Sequence, residues 1–208
     1  MENLLDNLRI LASTVSRMDE GIRVFDAIAE SAKELNRRKY GGFFGYVQNA
    51  AVADMVISFG RVFSKGKREI SFYSTSKLIL RENIVDPNVL KCYFNKRNIL
   101  YSDDNFTELF REDFYTFADP GYEKLLRLRD KLVAHHEKGV KWEDVGASFI
   151  DARAFVEEAH QKIDTCYLAY LNVSAPRTPL SEIDRQRMNT DRQLRNVISI
   201  LKSAAVDA

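Results

Sequence analysis

One short segment of the chain carries residues that could cleave an RNA backbone. The chain has three histidines, and two of them, His135 and His136, are adjacent and follow Arg129 closely. An arginine guanidinium binds a phosphodiester and stabilises the charge that develops as the phosphorus becomes five-coordinate. An imidazole titrates near neutral pH and can move the proton of a ribose 2′-hydroxyl or of the leaving oxygen. Because these two groups suffice for that reaction, the segment predicts RNA cleavage without a metal ion.

A helix through this segment would place an arginine on an apolar face. Each residue of a helix turns by about 100°, so Arg129 and His136 fall in the arc centred near Leu125, whereas Asp130 falls on the opposite side. A buried guanidinium without a partner is too costly to persist. We therefore expect Arg129 to contact a carboxylate, to reach solvent at a groove, or to bind an anionic ligand.

The run Arg129-Asp130-x-x-x-Ala134-His135 resembles the signature of the HEPN superfamily, in which an arginine and a polar residue precede a histidine after a short spacer. The whole chain is most similar to the abortive-infection U-type branch, and Arg61 in an apolar helix adds to that similarity. The resemblance covers roughly Leu4 to Val173, so the tail after Pro176 lies outside it.

This resemblance implies a metal-independent endoribonuclease that acts as a toxin or in defence against phage. It implies that Arg129 contacts phosphate, that Asp130 positions the reacting groups, and that His135 is the acid–base group. His136 also fits the spacing. Straight-helix geometry favours His136 as the neighbour of Arg129. The adjacent residues Ala134-His135 match the family signature and favour His135, so both histidines remain candidates.

The resemblance also implies partners for the chain. It predicts a homodimer that forms through the motif helices, an RNA substrate and, as a further candidate, a cognate antitoxin. The basic residues around the motif, Arg127, Lys131 and Lys138, are predicted RNA contacts. No metal ligand set and no cofactor motif is found in the sequence, so neither a metal nor a cofactor is expected.

A second interpretation assigns no catalysis to the motif. Cationic residues near the end of a helix interact favourably with its dipole, by about 0.3–1 kcal/mol each, and His135, His136 and Lys138 fit that description. The chain would then be a non-catalytic helical dimer or a module that binds an antitoxin, a nucleotide or RNA.

Apolar periodicity predicts an all-α fold, an elongated helical bundle with two long antiparallel helices and several shorter ones. Apolar residues recur every three or four positions from Leu4 to Ala32, with a potential break at Gly21, and again from Trp142 to about Asn172. We predict a helical bundle over residues 1–175 and a C-terminal helical extension over 176–208.

The segments between the long helices predict shorter helices. We expect the turn Tyr40-Gly41-Gly42 to end the first long helix and a central helix to follow over Phe43–Phe63. The segment Ser71–Leu80 is ambiguous and favours a short helix. Asp86-Pro87 and Asp119-Pro120 are typical of helix starts. The phenylalanines between Phe106 and Phe117 favour core packing over base stacking.

Three further side-chain environments are predicted. Arg61 is expected to form a salt bridge with an acid such as Asp54 or Asp113, and His160 is expected to lie on the solvated surface. The cysteines, Cys92 and Cys166, are far apart in the chain and are expected to be small core residues of a reduced protein.

Composition excludes several classes of protein. The 208 residues are 45% hydrophobic and 29% charged, with a formal net charge of +1, so bulk charge does not indicate nucleic-acid or membrane binding. The chain has no basic, apolar leader and no run of about 18 apolar residues that could span a bilayer. The prediction is therefore a cytoplasmic protein with no membrane partner.

Overall fold

The chain folds into an all-helical bundle, as its periodicity predicts. The computed structural model describes residues 3–37, 39–65, 69–82, 86–102, 104–117, 121–131, 149–171 and 191–199. Within these ranges every regular element is a helix and none is a strand. In chain order the helices are α1 Leu4–Arg37, α2 Gly41–Val62, α3 Phe72–Glu82, α4 Pro87–Arg97, α5 Phe106–Tyr115, α6 Gly121–Arg129, α7 Phe149–Leu171 and α8 191–199.

The first helix, α1, is long enough to make the bundle elongated. Its 34 residues span about 51 Å, and the predicted stripe is buried from Leu4 to Ile22. Beyond that point α1 buries a different face, in a separate cluster in which Ile28 and Leu35 contact Phe44 at the start of α2. Gly21 does not break the helix.

Helices α1 and α2 form a tightly packed antiparallel pair. Gln48 donates a side-chain hydrogen bond to the carbonyl of Phe25, whereas earlier in α1 the Cα of Gly21 lies against Ala51 and Met55. A Cβ at Gly21 would stand 2.9 Å from the carbonyl oxygen of Ala51. The glycine is therefore required by the close approach of two backbones.

The turn between α1 and α2 lies slightly earlier than predicted. α1 ends at Arg37, Lys39 adopts a left-handed conformation with φ of 63°, and Tyr40 directly precedes α2. Gly41 and Gly42 are helical, so the prediction that these glycines form the turn is wrong. A lysine occupies the left-handed position that glycine usually takes, so residue type alone does not indicate where the turn lies.

Two of the shorter helices begin with a side-chain cap, of which the sequence predicts the one at Asp86. The Asp86 side chain accepts a hydrogen bond from the backbone N–H of Asn88, with Pro87 in the first turn of α4. The segment after Ser71 is a helix and not a strand, and the Ser71 hydroxyl accepts from the Ser74 backbone N–H. The predicted helix start at Asp119-Pro120 lies outside the described residues, and α6 is described from Gly121 onward.

The aromatic residues form the core, as predicted. Phe106, Phe110 and Phe114 of α5 are buried. Phe63 is surrounded by several rings, and its centroid lies 4.8 Å from that of Phe155 and 5.0 Å from that of Phe117. Because rings from several helices meet here, this cluster fixes the relative positions of α2, α5 and α7.

Several single-residue predictions are wrong. His160 is buried and not on the solvated surface, and Cys92 is exposed, whereas Cys166 is buried as predicted. Neither cysteine is in a disulfide. In α8, Ile198 is buried and Val197 is half exposed.

The helices also answer the question of membrane spans. Among the described residues, no helix combines the length and the apolar character that crossing a bilayer requires.

Candidate functional site

Helix α6 carries Arg129 and is held against α2 by apolar contacts. Leu125 and Leu128 of α6 are buried in the core. The ring of Tyr122, at the start of α6, lies 6.0 Å from that of Phe59 on α2 and 4.5 Å from that of Phe63, which directly follows α2. These contacts fix the direction of α6, so the position of Arg129 at its end is determined by packing along the whole helix.

Arg129 lies across the backbone of α2 at Gly60. A Cβ built on Gly60 would stand 2.5 Å from Cδ and 3.3 Å from Cγ of Arg129. No side chain larger than hydrogen fits there unless the arginine moves. The stem of Arg129 is therefore seated in a notch that exists because residue 60 is glycine.

The guanidinium of Arg129 is held by the neighbouring carboxylate. Nε and Nη2 both donate to Oδ1 of Asp130, at 2.8 and 2.5 Å. The Arg129 side chain is 31% exposed and that of Asp130 is 50% exposed. Since a guanidinium has five N–H donors, three of them remain for a ligand after these two bonds. A phosphate could still be bound through the free edge of the group.

The straight-helix assumption fails just beyond Arg129. Asp130 and Lys131 continue α6 in a wider π-helical turn, a feature that often occurs at functional sites. The argument that placed His136 over Arg129 by straight-helix counting therefore loses its basis. His135 and His136 themselves lie outside the described residues, so the choice between them stays open.

Tyr122 is a neighbour of Arg129 that the sequence did not single out. Partial burial raises the pKa of the Tyr122 phenol, and the positive charge of Arg129 opposes that rise, whereas Glu123 adds to it. The phenol is therefore neutral at physiological pH. It places one hydroxyl in the surroundings of the guanidinium.

The three predicted RNA-contact residues differ in their surroundings. Arg127 is exposed, with its guanidinium 3.8 Å from Glu123, and Lys131 is half exposed at the end of the described part of α6. Lys138 lies outside the described residues. Over the part of the chain that the structure describes, no group of three or more His, Cys, Asp or Glu is placed to bind a metal.

A second cluster of charged residues, absent from the sequence-based predictions, joins α4, α5 and α7. The Lys162 side chain is fully buried, and its Nζ lies 3.2 Å from Glu158 and 3.6 Å from Asp113. It also donates to the backbone carbonyls of Asp113 and Thr116. Arg97 contacts Glu158 at 2.6 Å, so two bases and two acids compensate one another.

The buried cluster changes the ionisation of its members. Burial lowers the pKa of Lys162, and Asp113 and Glu158 oppose that change. Burial also raises the pKa of Tyr93, whose hydroxyl donates to Asp113 at 2.5 Å. These ion pairs and hydrogen bonds connect α4, α5 and α7.

The predicted salt bridge of Arg61 is wrong. Asp113 belongs to the buried cluster on the other helices, and Asp54 is exposed. Within the described ranges Arg61 is exposed and forms no ion pair. An ion pair at an exposed position adds little stability, so an exposed arginine does not require an acidic partner.

Comparison of the sequence with known families finds a match. The sequence profile of the AbiU2 family (HEPN_AbiU2) matches residues 2–190, which includes α6 and the histidines that follow it. The match runs past residue 175, and the division of the chain at that point stays a prediction. No protein of curated function and no solved structure matches the chain significantly. Because the match covers most of the chain, the protein belongs to the AbiU2 family of HEPN domains.

Proposed function

We propose that the protein is a metal-independent endoribonuclease whose site is built around Arg129. One observation carries the proposal: the arginine is seated over Gly60, tethered by Asp130, and still has free N–H donors at a partly exposed position. A positioned guanidinium with donors to spare is suited to a phosphodiester, whose charge increases in the transition state.

The proposed reaction is an internal transesterification. The ribose 2′-oxygen forms a bond to the adjacent phosphorus, and the bond from phosphorus to the 5′-oxygen breaks. An imidazole of His135 or His136 takes the 2′-hydroxyl proton, and the leaving 5′-oxygen receives a proton from an acid group. Arg129 stabilises the five-coordinate phosphorane, and Asp130 holds the guanidinium in place. The products are a 2′,3′-cyclic phosphate and a 5′-hydroxyl.

Incubating the purified chain with RNA in the presence of EDTA tests this proposal. Removing one stabiliser of the transition state costs about 10²–10³-fold in rate, so we expect that loss for Arg129→Ala and for the double variant His135→Ala/His136→Ala. Cleavage that is absent from the wild type, or that persists unchanged in these variants, contradicts the proposal.

Arg111 offers a matched control. It also contacts the acid that follows it in sequence, Glu112, at 3.2 Å, and its side chain is 28% exposed, close to that of Arg129. It lies on α5, away from α6. Arg111→Ala removes an equivalent charge and an equivalent ion pair, and we expect it to cleave RNA at the wild-type rate.

The alternative of a non-catalytic binding module is supported by the same ion pair. A guanidinium tied to a carboxylate of its own chain is what a purely structural arginine would show, and Asp130 supplies that contact. In this case Arg129→Ala would reduce stability or partner binding, and no RNA would be cleaved. An antitoxin partner, a role in phage defence and a cytoplasmic location are proposals under either interpretation.

A further inference from the structure

The end of α2 that lies beside Arg129 is basic. Arg61 directly follows Gly60 and is exposed, and Lys65 is exposed just beyond the end of the helix. Neither base forms an ion pair within the part of the chain that the structure describes. The acid of α2, Asp54, lies seven residues before Arg61, which is about 10 Å along the helix axis. The positive charge of Arg61 is therefore available to an anionic ligand.

Arg61 and Arg129 lie on neighbouring faces of α2. A Cβ built on Gly60 would stand 3.7 Å from Nε of Arg129, so the guanidinium of Arg129 lies over the face that residue 60 presents. Because consecutive residues of a helix turn by about 100°, Arg61 emerges slightly more than a quarter of a turn further round. On a helix about 10–12 Å across, this turn separates the two guanidinium groups by about 10 Å.

The ion pair of Arg129 allows a second arginine to lie this close. Oδ1 of Asp130 accepts two N–H bonds from Arg129 and offsets its positive charge. Arg61 therefore faces a charge-balanced pair, which reduces the repulsion between the two guanidinium groups. Ile57 emerges between the two arginines, about 60° round the helix from Gly60, and its side chain is 37% exposed.

We infer that Arg61 binds a second phosphate of the same RNA strand whose scissile phosphate lies at Arg129. The inference rests on the proposed function and adds to it the path of the strand, which crosses α2 over Ile57. Neighbouring phosphates of a strand lie several ångströms apart, so two guanidinium groups separated by about 10 Å contact different phosphates of one strand. The fork of N–H donors on Arg61 matches the oxygens of a phosphate. The substrate must therefore extend beyond the scissile linkage to at least one further phosphate.

The two arginines contribute to different steps. The charge on the second phosphate is the same in the bound substrate and in the transition state, so Arg61 stabilises both equally. Loss of such uniform binding raises KM and leaves kcat unchanged. Arg129, in contrast, acts on the phosphate whose charge increases during the reaction, so its loss lowers kcat.

Kinetics and salt dependence of Arg61→Ala test this role. We expect KM to rise about three- to tenfold with kcat unchanged. A 2′-O-methyl oligonucleotide lacks the attacking hydroxyl and measures binding alone. The slope of log Kd against log salt concentration should become shallower by about 0.7, the value for one phosphate contact on a single strand. Arg61→Lys keeps the charge and should retain most of the affinity.

Arg195→Ala is the matched control for the loss of one exposed positive charge. Arg195 is exposed and lines a groove between α8 and the part of α1 that contains Arg23. Gly21 lies on the side of α1 that contacts α2, and Arg23 emerges about 200° from that side. The control therefore removes a charge on the far side of α1 from Arg61, and KM and the salt slope should stay at the wild-type values.

Neutral methylphosphonate linkages in the oligonucleotide locate the contact. We replace one phosphate at a time in the 2′-O-methyl oligonucleotide and measure Kd for the wild type and for Arg61→Ala. At one linkage other than the one at Arg129, the replacement should weaken binding to the wild type about three- to tenfold. The same replacement should not affect Arg61→Ala, because the interacting charge is already absent. A purely structural role of Arg61 would produce no such position.

The outcomes separate this inference from the proposed function. If the wild type cleaves RNA while Arg61→Ala keeps the wild-type KM and salt slope, or while no linkage distinguishes the two proteins, the inference is wrong and the nuclease assignment stands. If the wild type cleaves no RNA but the methylphosphonate scan finds the expected position, the nuclease assignment fails and Arg61 is a phosphate contact. A wild-type chain that neither binds nor cleaves RNA overturns both.

Discussion

Replacing Gly60 by alanine would displace Arg129 and leave the fold intact. The new methyl group would stand 2.5 Å from Cδ of Arg129, whereas ordinary contact begins at about 3.4 Å. The arginine stem must therefore move by about 1 Å. The obstacle is a flexible, partly exposed side chain and not backbone, so α2 and α6 can keep their packing while the guanidinium leaves its position over Gly60.

The effects on stability and on rate should differ in size. Alanine is favoured over glycine in a helix by about 1 kcal/mol, and weakening the half-exposed ion pair of Arg129 with Asp130 costs about 0.2–1 kcal/mol. The free energy of unfolding should therefore change by less than about 1 kcal/mol. A displacement of about 1 Å in a catalytic site can lower the rate by about 10²-fold.

The assay compares RNA cleavage with urea unfolding for the same set of variants. Gly45→Ala is the matched control, because it lies on the same helix and its Cβ would meet nothing within 4 Å. It should stabilise the protein by up to about 1 kcal/mol and keep the wild-type rate. In an Arg129→Ala background, Gly60→Ala should stabilise the protein as much as Gly45→Ala does, because the clash is gone. A Gly60→Ala variant that cleaves at the wild-type rate refutes this reasoning.

Three further outcomes follow from the packing. Gly21→Ala should lower the free energy of unfolding by about 1–3 kcal/mol, because its methyl group meets a backbone carbonyl of α2 that cannot move. Chemical denaturation measures this loss, and an unchanged midpoint contradicts the close approach of the two helices. Lys162→Met should cost about 3–5 kcal/mol, because two partly buried acids lose the charge of a fully buried lysine. Lys33→Met on the exposed surface should change stability by less than about 0.5 kcal/mol. Arg129→Ala should raise the pKa of Tyr122, because the charge that lowers it is removed; a ring-carbon NMR titration that shows no rise argues against their proximity.

Local patterns were sufficient to predict most of the helices. The apolar stripe of α1 is buried where its period is regular, from Leu4 to Ile22. Asp86 caps α4 because its side chain reaches a backbone donor two residues away, a contact that the local sequence contains. These features depend on residues within a few positions of one another, and a single sequence encodes them directly.

Features that depend on distant residues were not predicted. His160 lies in a polar, charged run typical of a solvated face, yet it is buried in the folded chain. The notch at Gly60 exists only in relation to Arg129, which lies far along the chain on another helix. No local pattern reports such a pair, because the constraint arises when α6 packs on α2.

The candidate site was predicted in its residue types and only partly in its geometry. From the sequence we expected Arg129 to meet a carboxylate, solvent or an anion. In the structure it contacts Asp130 and remains partly exposed. Straight-helix counting put Asp130 on the opposite face. The length of the arginine side chain and the wider turn at Asp130 and Lys131 bring the two groups together nonetheless.

The chemical identity of the RNA ends is the most direct test of the nuclease assignment. Mass spectrometry of fragments made in EDTA should find 2′,3′-cyclic phosphate and 5′-hydroxyl ends, which only attack by the ribose 2′-hydroxyl produces. The rate at which these ends form should fall by at least about 10²-fold with Arg129→Ala and should stay at the wild-type level with Arg111→Ala. Fragments that end in a 3′-hydroxyl, or cyclic ends that persist in full after Arg129 is replaced, would contradict the account.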